Sequence, residues 1–153
     1  MVPDDLEGVI RRYEAVSFRV NRRMNALIKE CIDEDLTLDQ YSALRYIGSR
    51  GTVTSTEIAE AFGIVKSAVT AITNRLIKKG YLVRRSGTAD RRLTLWSLSG
   101  EGRRLMEEHQ RRIHRLIASF LTHFSGEEAE RFLRTYEKLA DVIERTEGKV
   151  SLS

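Results

Sequence analysis

The chain has 153 residues, of which 41% are hydrophobic and 31% are charged, a composition that suits one folded domain and excludes a wholly disordered protein. Its apolar runs are too short to span a bilayer, its acidic N-terminal segment does not resemble a secretory signal, and its single cysteine excludes an internal disulfide, so we expect a cytoplasmic protein. The net charge is +4, but residues 50–98 carry nine lysines and arginines against three acidic residues, a local charge of +6 that favours a polyanion such as nucleic acid as partner.

Two helices are predicted in the first third of the chain. Apolar residues at steps of three and four predict a long amphipathic helix over residues 6–32. Cys31 continues its apolar face, and we interpret it as a packed thiol, with oxidant sensing as the alternative. Thr37-Leu-Asp-Gln40 has the sequence of a capping box, and it predicts a second helix that ends near residues 48–51.

Two shorter helices follow in close succession. Residues 54–57 have the sequence of another capping box, and they predict a short third helix that ends at Gly63 and turns Ile58, Ala59 and Phe62 inward. A fourth helix is predicted from about residue 65 to residue 79, with Gly80 as its stop.

The remainder is predicted as a hairpin and two long helices. After Gly80 the helical period ends, and residues 81–85 and 92–98 have the composition of two short strands joined by a loop that contains Gly87. Ser99 is expected to cap a fifth helix that reaches about residue 124, and residues 125–128 have the capping sequence of a sixth helix that reaches about residue 146.

The third and fourth helices have the pattern of a helix-turn-helix. Ala59 is the small residue where the two helices touch, and Gly63 is the left-handed turn residue between them. β-Branched Val69 and Ile72 belong to the buried face of the second helix of the motif. The predicted inward stripe of that helix consists of Val65, Val69, Ile72 and Leu76.

The opposite face of the fourth helix is the candidate DNA-binding surface. Its short polar, small and basic side chains are Lys66, Ser67, Thr70, Ala71, Asn74 and Arg75, flanked by Lys78 and Lys79. Short side chains let a helix enter a major groove about 12 Å wide and reach base edges, while basic residues contact phosphates. Thr54, Ser55, Thr56 and Lys78 are further candidates for contacts to the DNA backbone. A plain helical hairpin with a solvated polar face is the alternative, against which the absence of glutamate on this face counts.

The predicted hairpin directly follows the fourth helix, which is the recognition helix of the motif. A helix-turn-helix followed by such a hairpin, the wing, is a winged helix. Arg91 and Arg92 lie at the predicted tip of the wing, from which an arginine can insert into the adjacent minor groove. The other interpretation is that both are ordinary solvated charges, with Asp90 as a local partner of little energetic weight.

Five segments form one recognisable pattern: Thr56-Glu-Ile-Ala-Glu-Ala-Phe-Gly63, Lys66-Ser-Ala-Val-Thr70, Asn74-Arg-Leu-Ile-Lys-Lys-Gly80, Arg84-Arg-Ser-Gly-Thr-Ala-Asp-Arg-Arg92 and Leu98-Ser-Gly-Glu-Gly102. In them the chain resembles the winged helix of the MarR family of bacterial transcriptional regulators. The resemblance implies that Arg92 enters the minor groove and that Asp90 orients it, and Arg91 is left to meet phosphate. Trp96 and Ser99 depart from the family's pattern, and Trp96 leaves the packing beneath the wing unexplained.

The resemblance also implies a homodimer in which the first helix and the last two helices interlock. Wide apolar faces support this: Leu105, Ile113, Leu116, Ile117, Phe120, Leu121 and Phe124 in the fifth helix, and Phe132, Leu133, Tyr136, Leu139 and Ile143 in the sixth. Packing of these helices on each other within one chain is the alternative. A two-fold dimer predicts a pseudo-palindromic operator on double-stranded DNA, with half-sites about 34 Å apart. The family further implies a small phenolic or lipophilic anionic effector between the dimer helices and the DNA-binding lobes, for which Tyr13, Tyr41, Tyr46 and His109 are conceivable lining residues.

We therefore expect a mainly α fold in one domain of residues 1–153, with a winged-helix lobe over residues 37–98 and a helical dimerisation region over residues 5–33 and 99–146. The expected function is that of a repressor relieved by a small molecule. A DNA-binding regulator or architectural protein without such input, and a winged helix used for protein contact, are the alternatives. His109, His114 and His123 lack the spacing of metal ligands, and no catalytic grouping emerges, so we expect no metal, no cofactor and no enzymatic activity.

Overall fold

The computed structural model describes residues 4–86 and 93–146. The elements in chain order are α1 (Leu6–Cys31), α2 (Leu38–Arg50), β1 (Val53–Thr54), α3 (Ser55–Phe62), α4 (Lys66–Lys78), β2 (Leu82–Ser86), β3 (Thr94–Leu98), α5 (Gly100–Leu121) and α6 (Gly126–Arg145). The predicted mainly α fold with a small hairpin is confirmed. Helix α5 ends at Leu121, a few residues before the predicted end, because a turn then leads to the cap of α6.

Side-chain caps determine where the helices begin. At the start of α2 the backbone N–H of Gln40 donates to Oγ1 of Thr37 at 3.1 Å, and the backbone N–H of Thr37 donates to Oε1 of Gln40 at 3.3 Å. Ser125 and Glu128 make the same reciprocal pair at α6. At α3 only the Thr54 hydroxyl takes part, accepting from the backbone N–H of Glu57 at 3.1 Å. Two of the three predicted capping boxes are thus complete.

The three strands form one antiparallel sheet in the order β1-β3-β2. Strand β3 is central, with Trp96 opposite Val53 of β1 and Leu98 opposite Leu82 of β2. Strand β1 was not predicted, because a strand of two residues has no alternation to detect. It places the start of α3 directly beside the sheet.

The main core lies within the compact unit Met1–Ile113. Helices α2, α3 and α4 and the sheet contribute most of its fully buried side chains, among them Leu44, Ile47, Val53, Ile58, Val69 and Leu76. Phe62, predicted to point inward, is 38% exposed and packs edge-on against Tyr46. The core therefore holds the two helices of the predicted helix-turn-helix against the sheet.

Helices α1 and α6 contribute no buried residue. Helix α1 leaves large apolar side chains exposed, namely Leu6, Val9, Ile10, Tyr13, Val16, Phe18 and Val20. In the second unit, His114–Ser153, α6 exposes Phe132, Leu133, Tyr136, Val142 and Ile143. The rings of Phe132 and Tyr136 stack with their centroids 5.2 Å apart. Within the described residues no helix has the length and apolar composition needed to cross a membrane.

Candidate nucleic-acid interface

The turn between α3 and α4 has the predicted geometry. Gly63 lies in the left-handed region with φ 61°, and its N–H reaches the carbonyls at the end of α3. The N–H of Ile64 then donates to the carbonyl of Ala59 at 3.0 Å. In the described part of the chain only glycines have positive φ, so the turn depends on the backbone freedom of this residue.

The inner face of α4 agrees with the prediction at three of four positions. Val69 and Leu76 are fully buried, and Ile72 packs against the core while partly exposed. Val65 is a correction, because it is 68% exposed rather than inward. It is the N-cap residue, with φ −77° and ψ 154°, so it precedes the helix and helical periodicity does not determine where it points.

Sequence reasoning missed a buried polar residue on this face. Thr73 is buried, and its hydroxyl donates to the carbonyl of Val69 at 2.9 Å within the helix. Because the helix itself satisfies the hydroxyl, threonine can occupy an apolar position without an unpaired polar group. The spacing places residue 73 on the same face as Val69 and Leu76, but a pattern read from apolar residue types alone passes over a threonine.

The outer face of α4 is exposed along its length. The candidate residues Lys66, Ser67, Thr70, Ala71, Asn74, Arg75 and Lys78 are all exposed. The helix carries no acidic residue, and its N-terminus has no side-chain cap. Its first N–H groups and its positive dipole end are therefore open to an anion such as a DNA phosphate.

Lys79 does not belong to that face, which corrects its predicted position at the margin. Its ammonium donates to the backbone carbonyl of Asp35 and to Gln40 Oε1, the latter at 3.0 Å. Lys79 follows α4 as its C-cap, on the side of the helix that faces α2. The half-buried residue joins the end of α4 to the capping box of α2.

The hydroxyls at the start of α3 have internal partners. Thr54 caps the helix, and Ser55 Oγ accepts a hydrogen bond of 2.8 Å from the indole Nε1 of Trp96, whereas Thr56 is exposed. As acceptors, Thr54 and Ser55 each keep a hydroxyl proton that can be donated to a phosphate. Trp96 is buried, so the residue left unexplained by the sequence connects the sheet to α3.

The described part of the wing consists of β2 and β3, paired as far as Ser86 and Thr94. Arg84 and Arg85 on β2 are exposed, and they add two positive charges to the segment that follows α4 in the chain. The wing residues named from the sequence, Asp90, Arg91 and Arg92, lie outside the described residues.

Two of the conceivable effector-lining residues are part of the core. Tyr41 and His109 are buried with ring centroids 6.1 Å apart, and His109 Nε2 accepts from the backbone N–H of Asp33 at 3.3 Å. Burial raises the pKa of Tyr41 above its usual value of 10.0, and burial together with nearby Asp35 raises that of Tyr81. Among residues 4–86 and 93–146, no three histidine, cysteine or acidic side chains are grouped as a metal site requires.

The chain is similar in sequence to known transcriptional regulators. Residues 34–93 match the model of the MarR family. The chain is 31% identical over 114 residues to the HTH-type transcriptional repressor MdtR of Bacillus subtilis. The aligned region covers 74% of this chain and 74% of that protein.

Solved structures show the same fold. The crystal structure of the YusO protein from Bacillus subtilis is 27% identical, with a TM-score of 0.65, over 92% of this chain and 99% of that one. FabT of Streptococcus pneumoniae, solved in complex with DNA, is 20% identical, with a TM-score of 0.75, over 92% of this chain and 98% of that one.

Proposed function

We propose that this chain, which belongs to the MarR family of transcriptional regulators, represses transcription by binding operator DNA as a homodimer. One observation carries the proposal: the face of α4 opposite the core is exposed, basic and free of acidic side chains. A helix that presents such a face beyond a tight glycine turn can lie in the major groove. Its relative MdtR is itself a repressor.

The residues of the interface divide by chemistry. On α4, Lys66, Ser67, Thr70, Ala71, Asn74 and Arg75 are proposed to contact base edges. The Thr70 hydroxyl already donates to the carbonyl of Lys66 at 3.1 Å, so toward DNA it offers an acceptor and a methyl group. Lys78, Thr56 and the remaining protons of the Thr54 and Ser55 hydroxyls are proposed to contact phosphates, which fix the register without specifying sequence.

The wing is proposed to add a minor-groove contact. Arg92 is assigned to the groove, Asp90 to its orientation and Arg91 to phosphate. This assignment rests on the sequence pattern, since the three residues lie outside the described part of the chain. A narrow minor groove concentrates negative potential, and an inserted arginine gains from it.

The homodimer is supported by the large apolar side chains that α1 and α6 each leave exposed in the described chain. Two-fold symmetry requires a pseudo-palindromic operator whose half-sites are about 34 Å apart. A phenolic or lipophilic anionic effector would relieve repression only by preferring the dimer conformation that mismatches the operator. The protein is proposed to act in the cytoplasm by binding alone, with neither catalysis nor a cofactor.

The test is selection of DNA by the full-length chain from a random duplex library, followed by titration of the enriched duplex at fixed salt. We expect a pseudo-palindrome to be enriched. Asn74→Ala should relax discrimination at one base pair per half-site by about 1–3 kcal/mol, and Arg92→Ala should weaken binding strongly. A chain that enriches no sequence would contradict the function, and an Arg92→Ala protein with unchanged affinity would contradict only the role of the wing.

A further inference from the structure

Val65 is the most exposed large hydrophobic residue in the described part of the chain, at 68%. Its position makes this unusual. The valines on either side of it in the winged-helix lobe, Val53 and Val69, are fully buried. An isolated exposed apolar residue is ordinary on a protein surface, but this one lies at the end of α4 that carries the candidate base contacts.

The same residue occupies a position where a polar side chain is expected. Every other described helix begins with a side chain that accepts a hydrogen bond from the first turn, and these caps are Asp5, Thr37, Thr54, Ser99 and Ser125. Helix α4 begins at Val65, which provides no such bond. Valine is among the poorest residues at an N-cap, because it has no oxygen to accept from the free N–H groups.

At this one position the chain thus lacks a cap and exposes an apolar group. The missing cap weakens the start of α4 in the isolated protein, and the exposed isopropyl group gains nothing from folding. The apolar group has a use in the major groove, where thymine presents a C5-methyl group beside otherwise polar base edges. N-terminal residues of a recognition helix are the ones that reach those edges.

We propose that Val65 is a specificity-determining residue whose isopropyl group contacts the C5-methyl of a thymine in each half-site. The inference rests on the proposed function and adds a residue that the polar face of α4 does not include. It requires that substitution of Val65 has opposite effects on stability and on recognition. A serine there can cap α4 and stabilise the fold, while it removes the apolar contact with DNA.

The experiment uses the full-length chain and the duplex that it enriches from a random library. Each thymine of the duplex is replaced in turn, in both half-sites, by deoxyuridine, which differs only in lacking the C5-methyl group. Binding is measured by fluorescence anisotropy at fixed salt for the wild type, Val65→Ser and Val65→Thr. Thermal unfolding of each protein is followed by circular dichroism. The control is Ile77→Ser, which changes another exposed apolar residue at the opposite end of α4.

For the wild type we expect one thymine position at which loss of the methyl group weakens binding roughly fourfold per half-site. At that position Val65→Ser should bind the thymine and deoxyuridine duplexes equally, and its melting temperature should equal or exceed that of the wild type. Val65→Thr, which keeps one methyl group and can cap the helix, should retain part of the preference. Ile77→Ser should keep the full preference.

Three results would overturn the inference. The first is that binding of the wild type is unchanged by deoxyuridine at every position. The second is that Val65→Ser discriminates thymine from deoxyuridine as the wild type does. The third is that Val65→Ser melts at a lower temperature than the wild type, as expected of a valine with a structural role. A wild-type chain that enriches no duplex contradicts the proposed function itself. A chain that enriches one but ignores the methyl groups contradicts only the role of Val65.

Discussion

The indole Nε1 of Trp96 donates a hydrogen bond of 2.8 Å to Oγ of Ser55, the first residue of α3. Trp96 also lies opposite Val53 in the pairing of β3 with β1. The central strand therefore contacts both the strand that leads into α3 and the first turn of α3 itself. Since α3 leads through Gly63 into α4, this contact contributes to the placement of the recognition helix.

Ser55→Ala should destabilise the protein by about 1–3 kcal/mol, because it leaves the buried indole N–H without a partner. Trp96→Phe removes the same bond together with part of the core volume, so it should cost more. If the two residues act through this bond, the double variant should be less destabilised than the sum of the single variants. Urea denaturation of the four proteins measures the coupling, and strictly additive losses would contradict it.

Gly63 and Gly102 require glycine for different reasons, a positive φ at Gly63 and a close contact with the backbone at Gly102, and substitution by alanine should separate the two. Gly63 has φ 61° and no atom near the position of an added Cβ, so alanine there should cost only the backbone strain, about 1–2 kcal/mol. At Gly102 an added Cβ would lie 2.2 Å from the carbonyl oxygen of Tyr81, and the backbone would have to move. Its cost should exceed that of Gly63→Ala and reach or exceed about 3 kcal/mol.

Gly63→Asn is the matched control for the first variant, because asparagine tolerates the left-handed conformation better than alanine. Thermal unfolding should rank the melting temperatures as wild type, Gly63→Asn, Gly63→Ala and Gly102→Ala, from highest to lowest. A Gly102→Ala protein as stable as Gly63→Ala would show that α5 can shift away from Tyr81 without cost.

Two adjacent lysines should respond differently to salt. Lys78 is exposed and proposed to contact phosphate, whereas Lys79 donates to Gln40 and to the carbonyl of Asp35. Lys78→Ala should reduce the slope of log affinity against log salt concentration by about 0.9 per protomer, since one counterion-releasing contact is lost. Lys79→Ala should leave the slope unchanged and lower the free energy of unfolding by about 0.5–1.5 kcal/mol for each hydrogen bond lost. The reverse pattern would contradict the assignment of the two residues.

The sequence predicted the helix-turn-helix because its signals are local. Gly63 is needed for a positive φ, and the spacing of Val69 and Leu76 follows from 3.6 residues per turn. The same periodicity failed at Val65, because it was extended one residue beyond the start of the helix, where the backbone is already extended. A pattern of apolar residues does not specify where the first helical residue lies when no capping side chain marks it.

The wrong placement of Lys79 and the open question at Trp96 have a different cause. Each of these residues is satisfied by a partner distant in sequence: Lys79 by residues on and before α2, and Trp96 by Ser55. Such contacts arise only when the chain folds, so neither composition nor spacing predicts them. The exposed face of α4 was predicted correctly because exposure follows from the burial of the opposite face.

Stability should decline in alkaline solution partly through Tyr41. Burial raises its pKa in the folded protein above 10.0, so the folded state holds the phenolic proton more tightly than the unfolded state. This contribution to stability is fully present below pH 10 and is lost as the pH rises through the raised value. Urea denaturation between pH 8 and 11 should therefore show a shallower decline for Tyr41→Phe. Because Tyr81 is shifted in the same direction, the double Tyr-to-Phe variant should have the shallowest decline, and parallel curves for all proteins would contradict the linkage.

The exposed face of α6 should be required for dimerisation but not for folding. Phe132 is 61% exposed and stacks with Tyr136, outside the buried core. Phe132→Asp places a charge on this apolar face, so it should convert the dimer to a monomer while the thermal transition of the monomer remains cooperative. Lys138→Gln is the control, because it changes the net charge by the same amount on the opposite side of α6. Light scattering after size-exclusion chromatography measures the mass, and fluorescence anisotropy measures the affinity for the operator.

The monomeric variant should bind the full operator far more weakly than the control does, because it engages one half-site at a time. A Phe132→Asp protein that stays dimeric, or whose monomer binds as tightly as the control, would contradict the use of this face.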